Sequence, residues 1–389
     1  MPKEQLREYT LAMMDVTRQI KLKDVGFDSA TGGGVPLNSI IEIYGSEASG
    51  KTTLCFEIAY RFLQEFPNKF VYYYNYERSI DKFYVRTLLK EDATLAERFK
   101  IVEPEFLEDG MEHLLETIDS RTSSLCIIDS LAAMQPKAEE EKALDKAQVG
   151  GFKAKLMAEV CRKIGQRLLK DASGKSPDTS IIFINHMNPV LGSFLPQNIT
   201  PGGKAVKFWA SLRIEIGVRS RLQKEETVIG IGKDKVTYGN ICQGKIEKNK
   251  YAPPYRKFIT YIILGKGIDR AMSLIDYALA IGIVGMKGKT DYYLVGKEDK
   301  TVRGKQKFAD TINSNPNIFN YLYSKVVEYV EARQEQAKNP NIETISKDPN
   351  IALQGSPASS ESEESTEITQ MFNDLEIDDS QQPEDFGEL

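Results

Sequence analysis

A glycine-rich stretch that begins at residue 45 carries the clearest chemical signal in the chain. It fits the pattern G-x-x-x-x-G-K-[ST] and comprises Gly45, Ser46, Glu47, Ala48, Ser49, Gly50, Lys51, Thr52 and Thr53. The glycines let backbone N–H groups turn inward around phosphate oxygens, and the helix expected after them adds its positive N-terminal end. Lys51 can reach the outer phosphates, and the Thr52 hydroxyl can ligate Mg²⁺. The stretch therefore predicts a nucleotide site.

Two acidic residues stand at the ends of apolar, strand-like runs. Asp129 ends the run 125–129 and would hold Mg²⁺ through a water molecule if that strand lies beside the phosphate loop. Glu77 follows the run 70–76 and is a candidate for the group that activates water for hydrolysis. In a parallel sheet the carboxyl ends of neighbouring strands open onto one crevice, so both acids could face the phosphates. The alternative for each is a solvated side chain at a strand end.

The surrounding pattern indicates the elements that would position these residues. Strand-like runs alternate with helical stretches at 40–44, 70–76, 125–129 and 181–184. This alternation argues for a mainly parallel sheet covered by helices on both faces, which is an α/β fold. Further strands that extend this sheet in antiparallel fashion are expected at 207–218, 240–250 and 256–264. The long connection from Met187 to Thr200 has no clear period, and loops of that length are usually functional or disordered.

The sequence predicts four segments. They are an N-terminal helical segment at 1–24, a core at 25–269, a small α+β domain at 270–337 and a disordered tail at 338–389. An amphipathic helix is expected over 2–20, because apolar residues recur near one of its faces. The tail is polar and rich in Ser, Glu and Asp, which is typical of disordered segments.

The charge is distributed unevenly along the chain. The formal net charge is −5, but eleven of the 56 acidic residues lie in 351–389, where there is no Lys or Arg. The remaining residues carry 51 basic against 45 acidic side chains, a mildly basic body that is one weak indication of polyanion binding. Four scattered cysteines and two histidines predict reduced thiols, no zinc site and a cytoplasmic protein. Neither a signal peptide nor a membrane-spanning run is recognised.

Taken together, these motifs resemble the bacterial RecA recombinase family and its phage relatives such as UvsX. The resemblance covers about residues 25–335 and rests on GSEASGKTT, YERSIDKFYVR, IIDSLAAMQPKAEEE, INHMNPVLG, PGGKAVKFWASLRIEI and KIEKNKYAPPY. It implies a RecA-like P-loop ATPase core that uses ATP and Mg²⁺. It also implies DNA-stimulated hydrolysis by a recombinase that forms helical filaments on single-stranded DNA and promotes pairing and strand exchange with double-stranded DNA. The N-terminal segment would dock on the next subunit.

Roles at the ATP site follow from the resemblance. Glu77 aligns with the glutamate that activates water, while Asp81 and Tyr84 align with residues that contact and stack on adenine. Lys248 and Lys250 align with lysines that reach across the subunit interface to the neighbour's ATP, where cations stabilise transition-state charge as arginine fingers do. From the residues alone, both lysines could instead be solvated charges on an edge strand.

The resemblance also implies two DNA-binding loops. Residues assigned to the first loop and the stretch that follows it are Gln148, Val149, Gly150, Gly151, Lys155 and Arg162. Residues assigned to the second are Met187, Asn188, Val190, Leu191, Phe194, Gly202, Gly203 and Lys204. Basic side chains would add salt-dependent, sequence-neutral affinity, and Phe194 would either wedge between bases or anchor the loop on its own domain. The acidic tail could compete with DNA, bind a single-strand-binding or loader protein, or simply solubilise the chain.

One residue departs from the bacterial pattern. At His186 the bacterial proteins usually carry a glutamine that senses the γ-phosphate and couples it to the DNA loop, whereas UvsX-like phage proteins carry histidine. We therefore favour the phage type and assign His186 to the catalytic group, with a structural histidine as the alternative. Two other functions share the phosphate loop and Glu77: a hexameric, helicase-like ring motor and a non-catalytic filament mediator that binds ATP.

Overall fold

A computed structural model describes residues 18–120, 124–140, 150–169, 177–189, 198–228 and 232–338. The chain divides between Ser273 and Leu274 into two compact units. Most of the expected N-terminal helix and almost all of the expected tail lie outside the described residues, and the segment boundaries at 24, 269 and 337 stay predictions. None of the helices in the described ranges is both long and apolar enough to cross a bilayer.

The first unit is built on a nine-stranded sheet with the order β13-β12-β11-β10-β3-β7-β6-β4-β5. Its strands are β3 Ile40–Gly45, β4 Phe70–Asn75, β5 Phe99–Val102, β6 Ser124–Asp129, β7 Ser180–His186, β10 Leu212–Val228, β11 Gly232–Asn249, β12 Lys257–Ile263 and β13 Gly267–Ile268. The strands from β10 to β5 in that order pair in parallel, and β11, β12 and β13 extend the sheet in antiparallel fashion. The predicted α/β class and sheet direction are confirmed.

Helices cover both faces of this sheet, as the alternating pattern predicted. The helices of the first unit are α1 Val25–Thr31, α2 Lys51–Glu65, α3 Lys82–Leu88, α4 Ala93–Arg98, α5 Leu107–Asp119, α6 Lys137–Glu140, α7 Gly150–Arg167 and α8 Lys204–Trp209, and α9 Arg270–Ala280 crosses the boundary between the units. Ile41 and Ile43 face an apolar cluster that includes α2, whereas Ile40 and Phe183 face a second cluster that includes α5 and α7. The central strands are mostly apolar because both faces are covered, and Glu42 on β3 and Asn185 on β7 are among the buried polar exceptions.

Two short ladders flank the sheet. They pair β1 Gln19–Ile20 with β2 Val35–Pro36, and β8 Asn188–Pro189 with β9 Asn198–Ile199. The predicted helix 2–20 is therefore wrong at its last two residues, where Ile20 is completely buried in the core as part of a strand. Residues 2–17 lie outside the described ranges.

The predicted strand that starts at Lys207 is also wrong, because residues 204–209 form α8 and β10 begins at Leu212. Val206 and Ala210, four residues apart, are both buried, whereas Phe208 between them is 76% exposed. This spacing belongs to a helix. Tertiary packing stabilises this helix, because the Trp209 ring packs directly on Gly165 of α7. The contact is so close that a Cβ at Gly165 would lie 2.3 Å from the ring.

Strands β10 and β11 run well beyond the predicted limits of 218 and 240. Their outer parts pair with each other from Gln223–Thr237 to Val228–Gly232. These outer residues are largely charged and exposed, so they lack the apolar alternation that marks a half-buried strand.

The second unit combines three short strands with two helices that follow them. Its elements are β14 Val284–Lys287, β15 Asp291–Leu294, β16 Val302–Arg303, α10 Lys305–Ser314 and α11 Pro316–Lys338. The strands form an antiparallel sheet, and the Tyr292 ring stacks on Phe308 of α10 at 5.7 Å. A small α+β unit was predicted from the sequence around these residues.

Candidate active site

The phosphate loop joins the end of β3 to the start of α2, as its motif predicted. Gly50 lies in the left-handed region with a φ of 90°, which favours glycine. A Cβ at Gly45 would lie 2.0 Å from the carbonyl oxygen of Ile216, so this position also needs glycine for close approach. The tight turn starts α2 at Lys51 and directs its first N–H groups at the loop, the arrangement that binds phosphate.

The Lys51 ammonium lies within the phosphate loop. Its Nζ donates hydrogen bonds to the carbonyl oxygens of Ser46 at 2.7 Å and Gly45 at 3.3 Å. Burial lowers the pKa of Lys51, and the negative charges of Asp129 and Glu77 oppose that shift. The ammonium is thus held by loop carbonyls within the electrostatic influence of two carboxylates, and it can exchange those carbonyls for phosphate oxygens.

Asp129 is placed beside the first turn of α2. Its Oδ2 accepts hydrogen bonds from the Thr52 hydroxyl at 3.0 Å and from the Tyr73 hydroxyl at 2.5 Å. The residue is 2% exposed, and burial raises its pKa while the Tyr73 bond opposes the rise. A carboxylate and a hydroxyl side by side supply the oxygen donors that Mg²⁺ prefers, so these residues fit the expected metal.

Glu77 lies at the same edge of the sheet, one strand away from Asp129. Its Oε1 accepts a hydrogen bond from the Ser130 hydroxyl at 2.5 Å and lies 2.9 Å from Nε2 of His186. Burial raises the pKa of Glu77, but these two hydrogen bonds and the charges of His186 and Lys51 outweigh it, and the net pKa is lowered. The carboxylate is therefore ionised at neutral pH, which a general base requires.

The direct contact between Glu77 and His186 was not anticipated from the sequence, which placed both near the terminal phosphate separately. Tyr73 and Ser130 were missed altogether. The sequence feature that could have identified Tyr73 is its hydroxyl within an apolar strand, because a buried phenol usually needs a hydrogen-bond partner. Ser130 directly follows Asp129, a position that the strand-end argument already marked.

Asp81 and Tyr84 form the start of α3 and hold it against the phosphate-loop helix. Oδ1 of Asp81 accepts a hydrogen bond from the Tyr84 backbone N–H at 2.9 Å and caps the helix. The Tyr84 hydroxyl is 2.8 Å from Oγ1 of Thr53, and its ring meets Phe56 edge-on. This geometry explains how Tyr84 is oriented beside the loop, and the adenine contact of both residues stays a prediction.

Lys248 has a partner within its own subunit. Its Nζ donates to the carbonyl oxygens of Lys207 at 2.9 Å and Phe208 at 2.7 Å, near the C-terminal end of α8. A cation is favourable there because those carbonyls have no partner inside the helix. Burial lowers the pKa of Lys248, and the charge of Lys250 adds to that shift. Lys250 is exposed, and the reach of both lysines to a neighbour's ATP stays a prediction.

Several residues assigned to the DNA loops lie outside the described ranges. They are Gln148, Val149, Val190, Leu191 and Phe194. Gly150 and Gly151 open α7, Lys155 and Arg162 are exposed seven residues apart on it, and Asn188 belongs to the β8–β9 ladder beside half-buried Met187.

The ends of the two loops are brought together. Gly202 and Gly203 have φ values of 87° and 75°, and a Cβ at Gly203 would lie 2.9 Å from Cβ of Ala154 on α7. The second loop therefore leaves directly beside the helix that follows the first one. Lys204, the next residue, is exposed.

Comparison with known proteins gives a family match and individual relatives that agree with each other. The RecA N-terminal domain family matches residues 11–269. "Protein RecA" of Thermotoga neapolitana is 33% identical over 320 residues, which is 81% of this chain and 85% of that protein. "Protein RecA" of Thermotoga maritima is 35% identical over 308 residues, covering 78% of this chain and 80% of the relative. "Protein RecA" of Wolinella succinogenes is 32% identical over 322 residues, or 81% and 84%.

Proposed function

Because this chain belongs to the RecA family of DNA-dependent ATPases, we propose that it is a recombinase that forms helical filaments on single-stranded DNA and promotes homologous pairing and strand exchange. The observation that carries the proposal is the convergence of Lys51, Asp129, Glu77 and His186 at the carboxyl ends of neighbouring parallel strands. This arrangement suits ATP hydrolysis, and its link to the second loop suits control by DNA.

In the proposed reaction each residue has one task. The loop N–H groups and Lys51 orient the outer phosphates, and the ionised Glu77 accepts a proton from the attacking water. Thr52 and Asp129 would hold Mg²⁺, which neutralises phosphate charge when bound. His186 reports contact with the terminal phosphate through its bond to Glu77 and its place at the start of the second loop. The phage-type interpretation of His186 stays a prediction.

The filament supplies the remaining groups. Lys248 and Lys250 would reach the ATP of the neighbouring subunit, and Lys248 would have to leave the α8 carbonyls to do so. Hydrolysis would then depend on assembly, because two of its cations arrive from another copy of the chain. Single-stranded DNA would bind along the two loops, with double-stranded DNA as the second substrate of strand exchange and the acidic tail as a site for an accessory protein.

Electron microscopy with single-stranded DNA, Mg²⁺ and a slowly hydrolysed ATP analogue tests this proposal. We expect open helical filaments that depend on both DNA and nucleotide, and their loss in a Lys51→Ala variant. Closed rings would instead favour a ring motor. Filaments that form while the parent chain shows no ATP hydrolysis would favour a non-catalytic mediator.

A further inference from the structure

A buried polar network crosses three neighbouring strands just behind the phosphate loop. It consists of Glu42 on β3, Asn185 on β7 and Arg213 on β10, and we call it the Glu42 network. Oε1 of Glu42 accepts a hydrogen bond from Nδ2 of Asn185 at 2.9 Å, and Oε2 accepts one from Nε of Arg213 at 2.6 Å. Glu42 and Asn185 are both completely buried.

Asn185 has a second acceptor for the same amide group. Its Nδ2 also donates to the carbonyl oxygen of Pro201 at 2.9 Å, and its Oδ1 accepts from the backbone N–H of His186 at 3.0 Å. The opposite orientation of the amide would set its oxygen against a carboxylate and a carbonyl, which offer no proton. The contacts therefore fix the orientation of Asn185 uniquely.

The network occupies positions where the sheet otherwise carries apolar side chains. Along β7, Ile181 and Phe183 face the α5–α7 cluster, and Asn185 continues the same alternation. On β3, Glu42 follows Ile40 in the same way. A carboxylate in such a place is unfavourable unless every oxygen is paired, and a buried charged pair is a poor source of stability. Polar residues here suggest a need for one fixed arrangement.

The arrangement that it fixes includes both ends of the second loop. Asn185 stands immediately before His186, which contacts Glu77 at the ATP site. The same side chain holds Pro201, which directly precedes Gly202 and Gly203, at the other end. Glu42 lies three residues before Gly45, the first residue of the phosphate loop. One amide thus connects the strand that carries the phosphate loop to the exit of the proposed DNA loop.

We propose that Asn185 is a positioning residue that holds Pro201 in register with the phosphate loop, so that a change at Glu77 and His186 moves the DNA-facing glycines. Glu42 and Arg213 keep the Asn185 amide in place. The inference rests on the proposed function, since it assigns a path for coupling between ATP and DNA in that function. Coupling of this kind is reciprocal, and DNA at the loop should act back on the ATP site by the same path.

Asn185→Asp is the variant that tests this proposal, because it keeps the size of the side chain and removes both donated hydrogen bonds. The matched control is Ser180→Ala at the other end of β7. Ser180 is also completely buried and donates one hydrogen bond to the carbonyl oxygen of Pro36 at 3.1 Å. If Asn185→Asp does not fold, Asn185→Ala removes the same two donated hydrogen bonds without placing a second carboxylate beside Glu42, and it serves in its place. Thermal unfolding of all variants shows how much stability each has lost.

Amide hydrogen exchange over residues 198–206, with an ATP analogue bound and no DNA, measures directly whether Asn185 holds the Pro201 end of the second loop. We expect exchange to be roughly 2- to 10-fold faster in Asn185→Asp, as the loss of the one hydrogen bond to Pro201 permits, and unchanged in Ser180→Ala. If exchange in Asn185→Asp is no faster than in the control, Asn185 does not hold Pro201 and the inference is overturned.

DNA-stimulated hydrolysis reads the coupling. The ratio of turnover with and without single-stranded DNA should fall roughly 5- to 150-fold in Asn185→Asp, the usual range of coupling between sites. Affinity for a fluorescent ATP analogue should change far less than this ratio. Retained stimulation in Asn185→Asp would overturn the inference and leave the proposed function intact. A parent chain whose hydrolysis is not stimulated by DNA would overturn the proposed function. The exchange measurement would still show whether Asn185 holds Pro201.

Discussion

Replacing Glu77 by glutamine is the sharpest test of the proposed ATP site. Glutamine keeps the length of the side chain and an oxygen that can accept the hydrogen bonds from Ser130 and His186. It removes the negative charge and the ability to take up a proton. The substitution therefore changes the chemistry while leaving the contacts of the strand end in place.

The expected magnitude follows from the state of Glu77 in the structure. Its lowered pKa means that the carboxylate is ionised at neutral pH, so none of its contribution in the parent protein is masked by protonation. A positioned general base accelerates a reaction by roughly 10²- to 10⁴-fold. Turnover should fall by that factor, which corresponds to about 3–5 kcal/mol of transition-state stabilisation.

Steady-state ATP hydrolysis at saturating single-stranded DNA measures the effect, together with the affinity for a fluorescent ATP analogue. Glu103→Gln is the matched control, because Glu103 follows the adjacent strand β5 and contacts Asn75 at 3.3 Å without touching Glu77 in the structure. We expect the control to hydrolyse ATP like the parent. We expect Glu77→Gln to bind the nucleotide and to turn it over very slowly.

Two outcomes would refute this reasoning. Turnover in Glu77→Gln equal to that of Glu103→Gln would remove Glu77 from the mechanism. A loss of nucleotide affinity as large as the loss of turnover would show that the carboxylate supports binding instead of proton transfer.

Three further predictions concern groups around the same site. Replacing Lys248 and Lys250 together by alanine should reduce DNA-stimulated hydrolysis but leave nucleotide binding by the isolated subunit intact; full hydrolysis would refute the role in trans. His186→Ala should uncouple hydrolysis from DNA, whereas His186→Gln should preserve coupling through an amide donor; an alanine variant with full DNA stimulation would contradict the sensor role. Asp129→Asn should raise the midpoint of thermal unfolding in Mg²⁺-free buffer. Burial raises the folded-state pKa of Asp129 above the usual 3.8. The protonated side chain therefore stabilises the folded state below pH 3.8, and this stabilisation is lost as the pH rises through the folded-state pKa. Calorimetry measures the midpoint, and a lower value would contradict the argument.

Local patterns were enough to predict most of the fold. The phosphate-loop motif needs only neighbouring residues, and the alternation of apolar strands with helices predicts a parallel sheet because each strand must be covered on both faces. Prediction failed at α8 and at the outer parts of β10 and β11. Val206 and Ala210 are buried by packing against a distant helix, and the charged outer strands pair only with each other, so neither case shows a periodic apolar signal.

The sequence by itself determined which chemical groups lie at or just after the strand ends: Lys51 and Thr52 at the start of α2, and Glu77, Asp129 and His186. It determined their common edge as well, because parallel strands with helical crossovers place their carboxyl ends together. It did not determine which of these groups contact one another. Such contacts depend on strand order and on register, and these are properties of the whole sheet.

Only the tertiary structure decided the partners. Glu77 meets His186 across 109 residues of chain, Asn185 reaches Glu42 across 143, and Arg213 reaches Glu42 across 171. Lys248 is bound to α8, where the sequence suggested a neighbour's phosphate or open solvent. The physical reason is that hydrogen bonds act over about 3 Å, so their pairing is set by the packing that brings distant segments together and leaves no periodic trace in the sequence.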